Sequence, residues 1–283
     1  MVTTTPDSKR QANPVFLFFG KIPWTWVITF VYLAFLLVLP IAALITKAAS
    51  EPFDSFWKTA TSPIAISSYE ITFVTALAAA TLNGIFGTLI AWVIVRYQFR
   101  GKRFLEAVVD LPFALPTAVA GLTLATVYSD KGWIGSLLAP LGIKVAFTRL
   151  GLFVAMVFIS LPFIVRTVQP VLTDLEKEIE EAAWSLGASQ FQTFTKVILP
   201  PLMPSILTGI ALGFSRAVGE YGSTVIIASN TPFRDLITPI LIFQRLEQYD
   251  YVGATVIGAV MLAISFVSLL AINLLQAWSK KYG

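Results

Sequence analysis

Two opposite charges interrupt an otherwise apolar run. "GIALGFSRAVGEYG" (209–222) carries Arg216 and Glu220 at positions i and i+4. On a helix these lie one turn apart on one face, where they can neutralise each other. A charge at the centre of a bilayer costs about 2.5–3.5 kcal/mol on insertion scales, so both should face protein or water. Two readings stand: a self-paired structural ion pair, or a pair that lines or gates a pathway. A simple anion-binding arginine fits less well, because Glu220 would repel the anion. Gly209, Gly213 and Ala217 form a ridge of small residues on a neighbouring face. Such a ridge lets another helix approach closely, for example in a partner subunit.

The second irregular stretch is "DLPFALPTAVAG" (110–121). Pro112 and Pro116 should kink its helix, and Gly121 permits close approach. Broken membrane helices can aim the positive end of a half-helix at an anion. Thr117, Thr123, Ser215, Ser223 and Thr224 could each donate a hydrogen bond to a passing oxyanion. Packing or backbone bonding is the commoner role of each taken alone. The sequence has no His and no Cys. Their absence removes zinc sites of the HExxH kind and the Ser-His and Cys-His nucleophile systems. No G-x-x-x-x-G-K-[ST] phosphate loop is present, so the chain is not itself an ATPase. "QYDYVG" offers Tyr249–Asp250, with no GxGD partner motif for an intramembrane aspartyl protease. No catalytic residue and no metal site is assigned.

The elements that must hold these residues are membrane helices. Of 283 residues, 56% are hydrophobic and 13% charged, against about 25% charged in soluble domains. The pattern predicts six spans, about 24–46, 71–95, 104–127, 150–170, 202–227 and 252–278, each near or above the roughly 20 residues a bilayer requires. The run from position 24 is too long for a signal-peptide core of about 7–15 residues and reads as an uncleaved anchor. The fold class expected is all-α, with a cytoplasmic N-terminal segment (1–23), one transmembrane domain (24–278) and a short tail (279–283). With the N-terminus inside, the inner segments hold eleven Lys and Arg and the outer ones seven. The short loop "RYQFRGKR" (96–103), with four basic residues, decides that orientation. Net charge is +4, but no basic stripe suggests nucleic acid. Trp133, Leu137 and Leu138 suggest a short interfacial helix outside.

Between the fourth and fifth spans, a stretch at about 171–201 reads like soluble protein: "IEEAAWSLGASQFQTFTKVILPP" (179–201). Thr173 or Asp174 is a candidate N-cap, and acidic residues suit the first turns. Gly187 can end this helix in a left-handed cap, and Ser189 can open a second. The residues predict two short helices bent at Gly187. They are either an amphipathic loop packed on the protein's own helices or an element that docks on a partner.

This stretch resembles the EAA loop of ABC importer permeases. Glu181, Ala182, Ala183, Gly187, Leu199 and Pro200 fill the pattern, with Ala188 beside the glycine. "FRGKRFLEAVVDLPFALPTAVAGLTL", "LPFIVRTVQPVL" and "GFSRAVGEYGSTVIIASN" resemble the sulfate/thiosulfate importer permeases, and "LPFALPTAVAG" favours their CysT-type over their CysW-type subunits. The resemblance covers the chain from about residue 16 onward. It implies the type I ABC importer permease fold, with coupling helices seated in a partner ATPase. It implies a related CysW-type permease subunit, two CysA-type ATPase subunits that use ATP and magnesium, and a periplasmic sulfate-binding protein. It also implies a bacterial inner-membrane location. It supports the gating reading, with Arg216, Glu220, Pro116, Thr117, Ser223 and Thr224 along the path and no cofactor on this chain. A molybdate or tungstate permease is the nearest alternative. A secondary transporter, which would spread ionisable residues over several spans, is more remote.

Overall fold

The computed structural model describes residues 23–282, with side chains through Leu274. Among the described residues there is no strand. The chain divides into two compact units at Ser50/Glu51. The first contains α1 (Trp24–Ala49), apolar up to Lys47 in its last turn, with one π-helical turn at Ala34–Val38.

The second unit opens with the short amphipathic α2 (Phe53–Ala60), followed by α3 (Pro63–Arg96), which begins eight residues earlier than the expected span. Next come α4 (Lys102–Ala114) and α5 (Thr117–Tyr128). A four-residue helix, α6 (Gly135–Leu138), lies where the interfacial helix was expected. The long α7 (Arg149–Asp174) leads to α8 (Lys177–Ser185). α9 (Gln190–Val218) contains a π-helical turn at Phe194–Ile198. The unit ends with α10 (Thr224–Ile227), α11 (Thr238–Glu247) and α12 (Tyr251–Tyr282). Among the described residues, five helices are long and apolar enough to span a bilayer; α4 and α5 together make a sixth if taken as one bent span.

Beyond the earlier start of α3, the structure departs from the expected elements in three places. The third span is not a kinked rod: α4 and α5 meet at 118°. Leu115 is extended there (φ −85°, ψ 134°), as the residue before a proline prefers, and Pro116 caps α5. The fifth helix stops at Val218 rather than continuing to 227. Glu220 therefore lies beyond the helix end, in a turn that contains Gly219 and Gly222. Finally, Asp174 ends α7, and α8 starts after Glu176. Neither Thr173 nor Asp174 caps it.

The core is built by α3, α7 and α9 lying side by side. Within lipid, burying apolar surface gains little, so helices are held by close packing around small residues. Ile164 is the knob of this core, fully buried. A Cβ on Gly87 of α3 would stand 2.9 Å from its side chain, and one on Gly209 of α9 would stand 2.9 Å from its Cα. The Gly209–Gly213 ridge is thus spent inside this chain, against α7. Asn83 crosslinks the same layer, donating to the Val157 carbonyl (2.8 Å) and Ser160 Oγ (2.9 Å). A polar side chain in an apolar layer requires such partners.

Candidate functional site

The soluble-looking stretch folds as two helices with a sharp bend. At the end of α8, Gly187 N–H donates to the Trp184 carbonyl (2.9 Å) and Ala188 N–H to the Ala183 carbonyl (3.0 Å). The second bond closes a Schellman motif, which requires a left-handed residue. Gly187 supplies it with φ +85°. Ser189 then opens α9 with a capping box: Gln192 N–H donates to Ser189 Oγ (3.3 Å), and Ser189 N–H to Gln192 Oε1 (2.9 Å). Pro200 and Pro201 lack the N–H groups that would bond to Lys196 and Val197, and the π-helical turn lies just before them. Leu199 and Pro200 sit where that turn passes into the regular helix.

Glu181, Ala182 and Gly187 are exposed, while Ala183 and Ala188 are half-buried. Two large apolar side chains flank the bend in the open: Leu186, 89% exposed, and Phe191, 76% exposed. Beside them is a cleft of about 320 Å³, lined by Trp92, Arg96, Tyr97, Glu181, Trp184 and Gln190.

An anchor that sequence reasoning missed holds the bend to the membrane helices. Arg96, the last residue of α3, reaches Glu180 Oε1 through Nη2 at 2.7 Å, with both side chains only 9% exposed. The same Nη2 donates to the Leu175 carbonyl (3.0 Å), in the link between α7 and α8. Trp92 stacks at a tilt on Phe194, centroids 4.9 Å apart. One guanidinium thus joins α3, the end of α7 and α8. In the sequence, Arg96 signals only orientation, and nothing local ties it to Glu180.

The second region lies where the broken helix meets the turn after Val218. A Cβ on Gly222 would come within 2.1 Å of Thr117 Oγ1, and one on Gly121 within 2.5 Å of the Ser223 carbonyl oxygen. Only glycine allows backbones this close. The structure therefore brings Pro116 and Thr117 against the 220–224 turn. Glu220 is buried (1% exposed) and meets Arg216 Nη1 at 2.6 Å. Its other oxygen accepts from Ser223 N–H and Oγ–H, both at 2.9 Å. Glu220 thus holds the turn together while pairing with Arg216, which stays 32% exposed. Thr224 donates to the Tyr221 carbonyl (2.9 Å), Thr123 to Val119 (2.9 Å) and Ser215 to Ala211 (2.7 Å). Four of the five candidate hydroxyl donors are therefore committed within the protein. Thr117 Oγ1 makes no hydrogen bond to the described residues.

This unequal sharing has a measurable consequence. Glu220→Ala orphans two donors of Ser223 as well as Arg216, whereas Arg216→Ala leaves Glu220 bonded to Ser223. The Glu220 variant is expected to be less stable than the Arg216 variant by about 2 kcal/mol. Thermal unfolding in detergent compares them; equal losses would contradict the bonding described.

Residues 83–281 match the family described as "Binding-protein-dependent transport system inner membrane component". The chain is 65% identical over 285 residues to the sulfate transport system permease protein CysT of Synechocystis sp., covering 100% of this chain and 99% of that one. It is 63% identical over 261 residues to a probable sulfate transport system permease protein of Nephroselmis olivacea, covering 92% of each. Among solved structures, a bacterial ABC transporter that imports the acidic polysaccharide alginate superposes with a TM-score of 0.74. It is 16% identical, with 93% of this chain and 96% of that chain covered. At that identity the likeness concerns the fold.

Proposed function

The chain belongs to the family of binding-protein-dependent transport system inner membrane components, and from that premise we propose that it is the sulfate-conducting permease subunit of an ABC importer. It is a multi-pass membrane protein and a transport subunit, not a catalyst. Thiosulfate is its second substrate. The observation that carries the substrate is near-full-length identity with a sulfate permease; the one that carries the coupling is the anchored bend at Gly187.

In this reading, both termini and the α8–α9 bend face the cytoplasm. A second, CysW-type permease completes the pathway. Two CysA-type ATPases bind ATP and magnesium, and a periplasmic sulfate-binding protein delivers the anion. The bend, with Glu181, Ala182, Ala183, Gly187 and Ala188, seats in the ATPase, and Leu186 and Phe191 supply exposed apolar knobs. When the ATPases close, the bend moves. Arg96 and Glu180 carry that motion to α3, and the Leu175 carbonyl passes it to α7; Leu199 and Pro200 begin the rigid lever of α9. At the other end, the turn holding Arg216, Glu220, Ser223 and Thr224 shifts against Pro116 and Thr117. Arg216 is the half-open cation there, and Thr117 the uncommitted hydroxyl. Alternation of the two ends moves the anion without any covalent step.

Purification in mild detergent, followed by reconstitution in vesicles, tests this. The expected result is co-elution of an ATPase and a second permease, with radiolabelled sulfate uptake that requires ATP and the binding protein. Uptake driven by an ion gradient without ATP would refute it.

A further inference from the structure

A second pair of charges lies at membrane depth, and the scheme above makes no use of it. Arg166 belongs to α7, seventeen residues from Arg149 and eight from Asp174. At 1.5 Å per residue it lies about 12 Å from the coupling end of that helix. Asp110 lies eight residues into α4, at about the same depth. The two meet as a fork: Arg166 Nε donates to Asp110 Oδ1 (2.8 Å), and Nη2 to Oδ2. Arg166 Nη1 donates to Gln169 Oε1 (2.8 Å), leaving the Gln169 amide N–H groups free to donate in turn.

The pair is not sealed. The side chain of Arg166 is 36% exposed and that of Asp110 is 45% exposed. Ions exposed at this depth face water or another protein surface, not lipid. The pair also mirrors the one at Arg216. From the contact of Gly209 with Ile164, Arg216 lies about 13 Å further along the helices. Both pairs engage the same broken helix: α4 carries Asp110, and the start of α5 packs on the turn that holds Glu220.

We propose that Arg166 is a second station for the oxyanion, and that Asp110 occupies its fork as an internal stand-in for the substrate. An arginine fork matches two oxygens of a carboxylate or of a tetrahedral oxyanion equally well. Asp110 and sulfate compete for one place, with Gln169 able to donate to the arriving anion. Sulfate passing from Arg216 toward the coupling end displaces Asp110 and so frees α4 from α7. When sulfate leaves, Asp110 returns and closes the fork. Each station then has its own carboxylate, which keeps either arginine from trapping the anion. This inference rests on the importer reading.

The test uses the complete transporter. ATP-driven sulfate uptake by the wild-type complex in vesicles checks the importer reading itself. Equilibrium retention of radiolabelled sulfate by the detergent-purified complex, without binding protein and against a chloride background, then checks Arg166. Asp110→Asn, which removes the competing charge while keeping the side chain's shape, is expected to tighten sulfate retention at least tenfold. Arg166→Gln, alone or with Asp110→Asn, is expected to abolish that gain. Should Arg166→Gln fail to assemble, Arg166→Lys keeps the charge without the fork and is expected to lose at least tenfold. If Asp110→Asn leaves retention unchanged while uptake falls equally in both single variants, the pair is a packing lock and the proposal is overturned. Unchanged retention and uptake in Arg166→Gln would overturn it as well.

Discussion

Replacing Gly187 by proline is expected to abolish ATP-driven sulfate uptake, by at least a hundredfold, while the protein remains in the membrane. Proline fixes φ near −65°, and Gly187 sits at +85°. The substitution also removes the N–H that bonds to Trp184. It disfavours the helix-like backbone of Leu186 (φ −85°, ψ 6°). Three local requirements fail together, so α8 and the start of α9 lose their bend. The rest of the chain feels little, because nothing lies within 4 Å of the Cβ position. That open space sets the controls. Gly187→Ala suffers only the left-handed backbone penalty, about 1–2 kcal/mol, and Gly187→Asn less. Uptake should therefore rank glycine, asparagine, alanine, proline. The check is co-purification of the ATPase with each variant, alongside uptake. A proline variant that assembled and hydrolysed ATP at the normal rate would remove the bend from the coupling scheme.

The second large effect is expected at Glu180. Glu180→Ala leaves Arg96 buried with the Leu175 carbonyl as its remaining partner. Breaking a buried pair from one side typically costs about 3–5 kcal/mol. The complex should be recovered poorly and unfold at lower temperature. Removing both charges tells a different story, since an apolar pair of similar volume is often neutral or better. Arg96→Met/Glu180→Leu should restore assembly. What it should not restore is coupling: an apolar contact lets α8 slide on α3 where a buried ion pair does not. ATP hydrolysis is expected to continue while uptake falls at least tenfold, so the ATP consumed per sulfate rises. A double variant with an unchanged ratio would show that the pair serves stability alone. Because the chain contains no cysteine, introduced cysteine pairs could report the α3–α8 distance without background.

Gly187 and the Arg96–Glu180 pair serve one bend, yet they differ in how they could be found. The bend was legible. A glycine after an Ala-rich helix and a serine two residues on are local signals. The structure uses both as expected, as a left-handed cap and an N-cap, and Gln192 adds the second half of a capping box. The apolar spans were legible for the same reason, since length and composition suffice to mark a helix that can cross a bilayer. Elsewhere a local rule meets a competing neighbour. Pro116 alone predicts a kink, but Leu115–Pro116 forms a 118° corner, with α5 lying against the Ser223 backbone. The apolar run predicts a fifth helix through Glu220, but Gly219 and Gly222 open a turn there, and Glu220 holds it through Ser223.

By itself the sequence determined which segments are membrane helices, where the bend at Gly187 lies, and which types of chemistry are absent. The spans and the bend depend on residues close together in the chain, and the excluded chemistry on composition alone. The tertiary structure decided the partners. Arg96 finds Glu180 across 84 positions, Arg166 finds Asp110 across 56, and the Gly209 ridge finds Ile164 of the same chain rather than another subunit. Those pairings depend on the depth and rotation at which whole helices pack. That register is set by all their contacts together, and no short stretch of residues carries it.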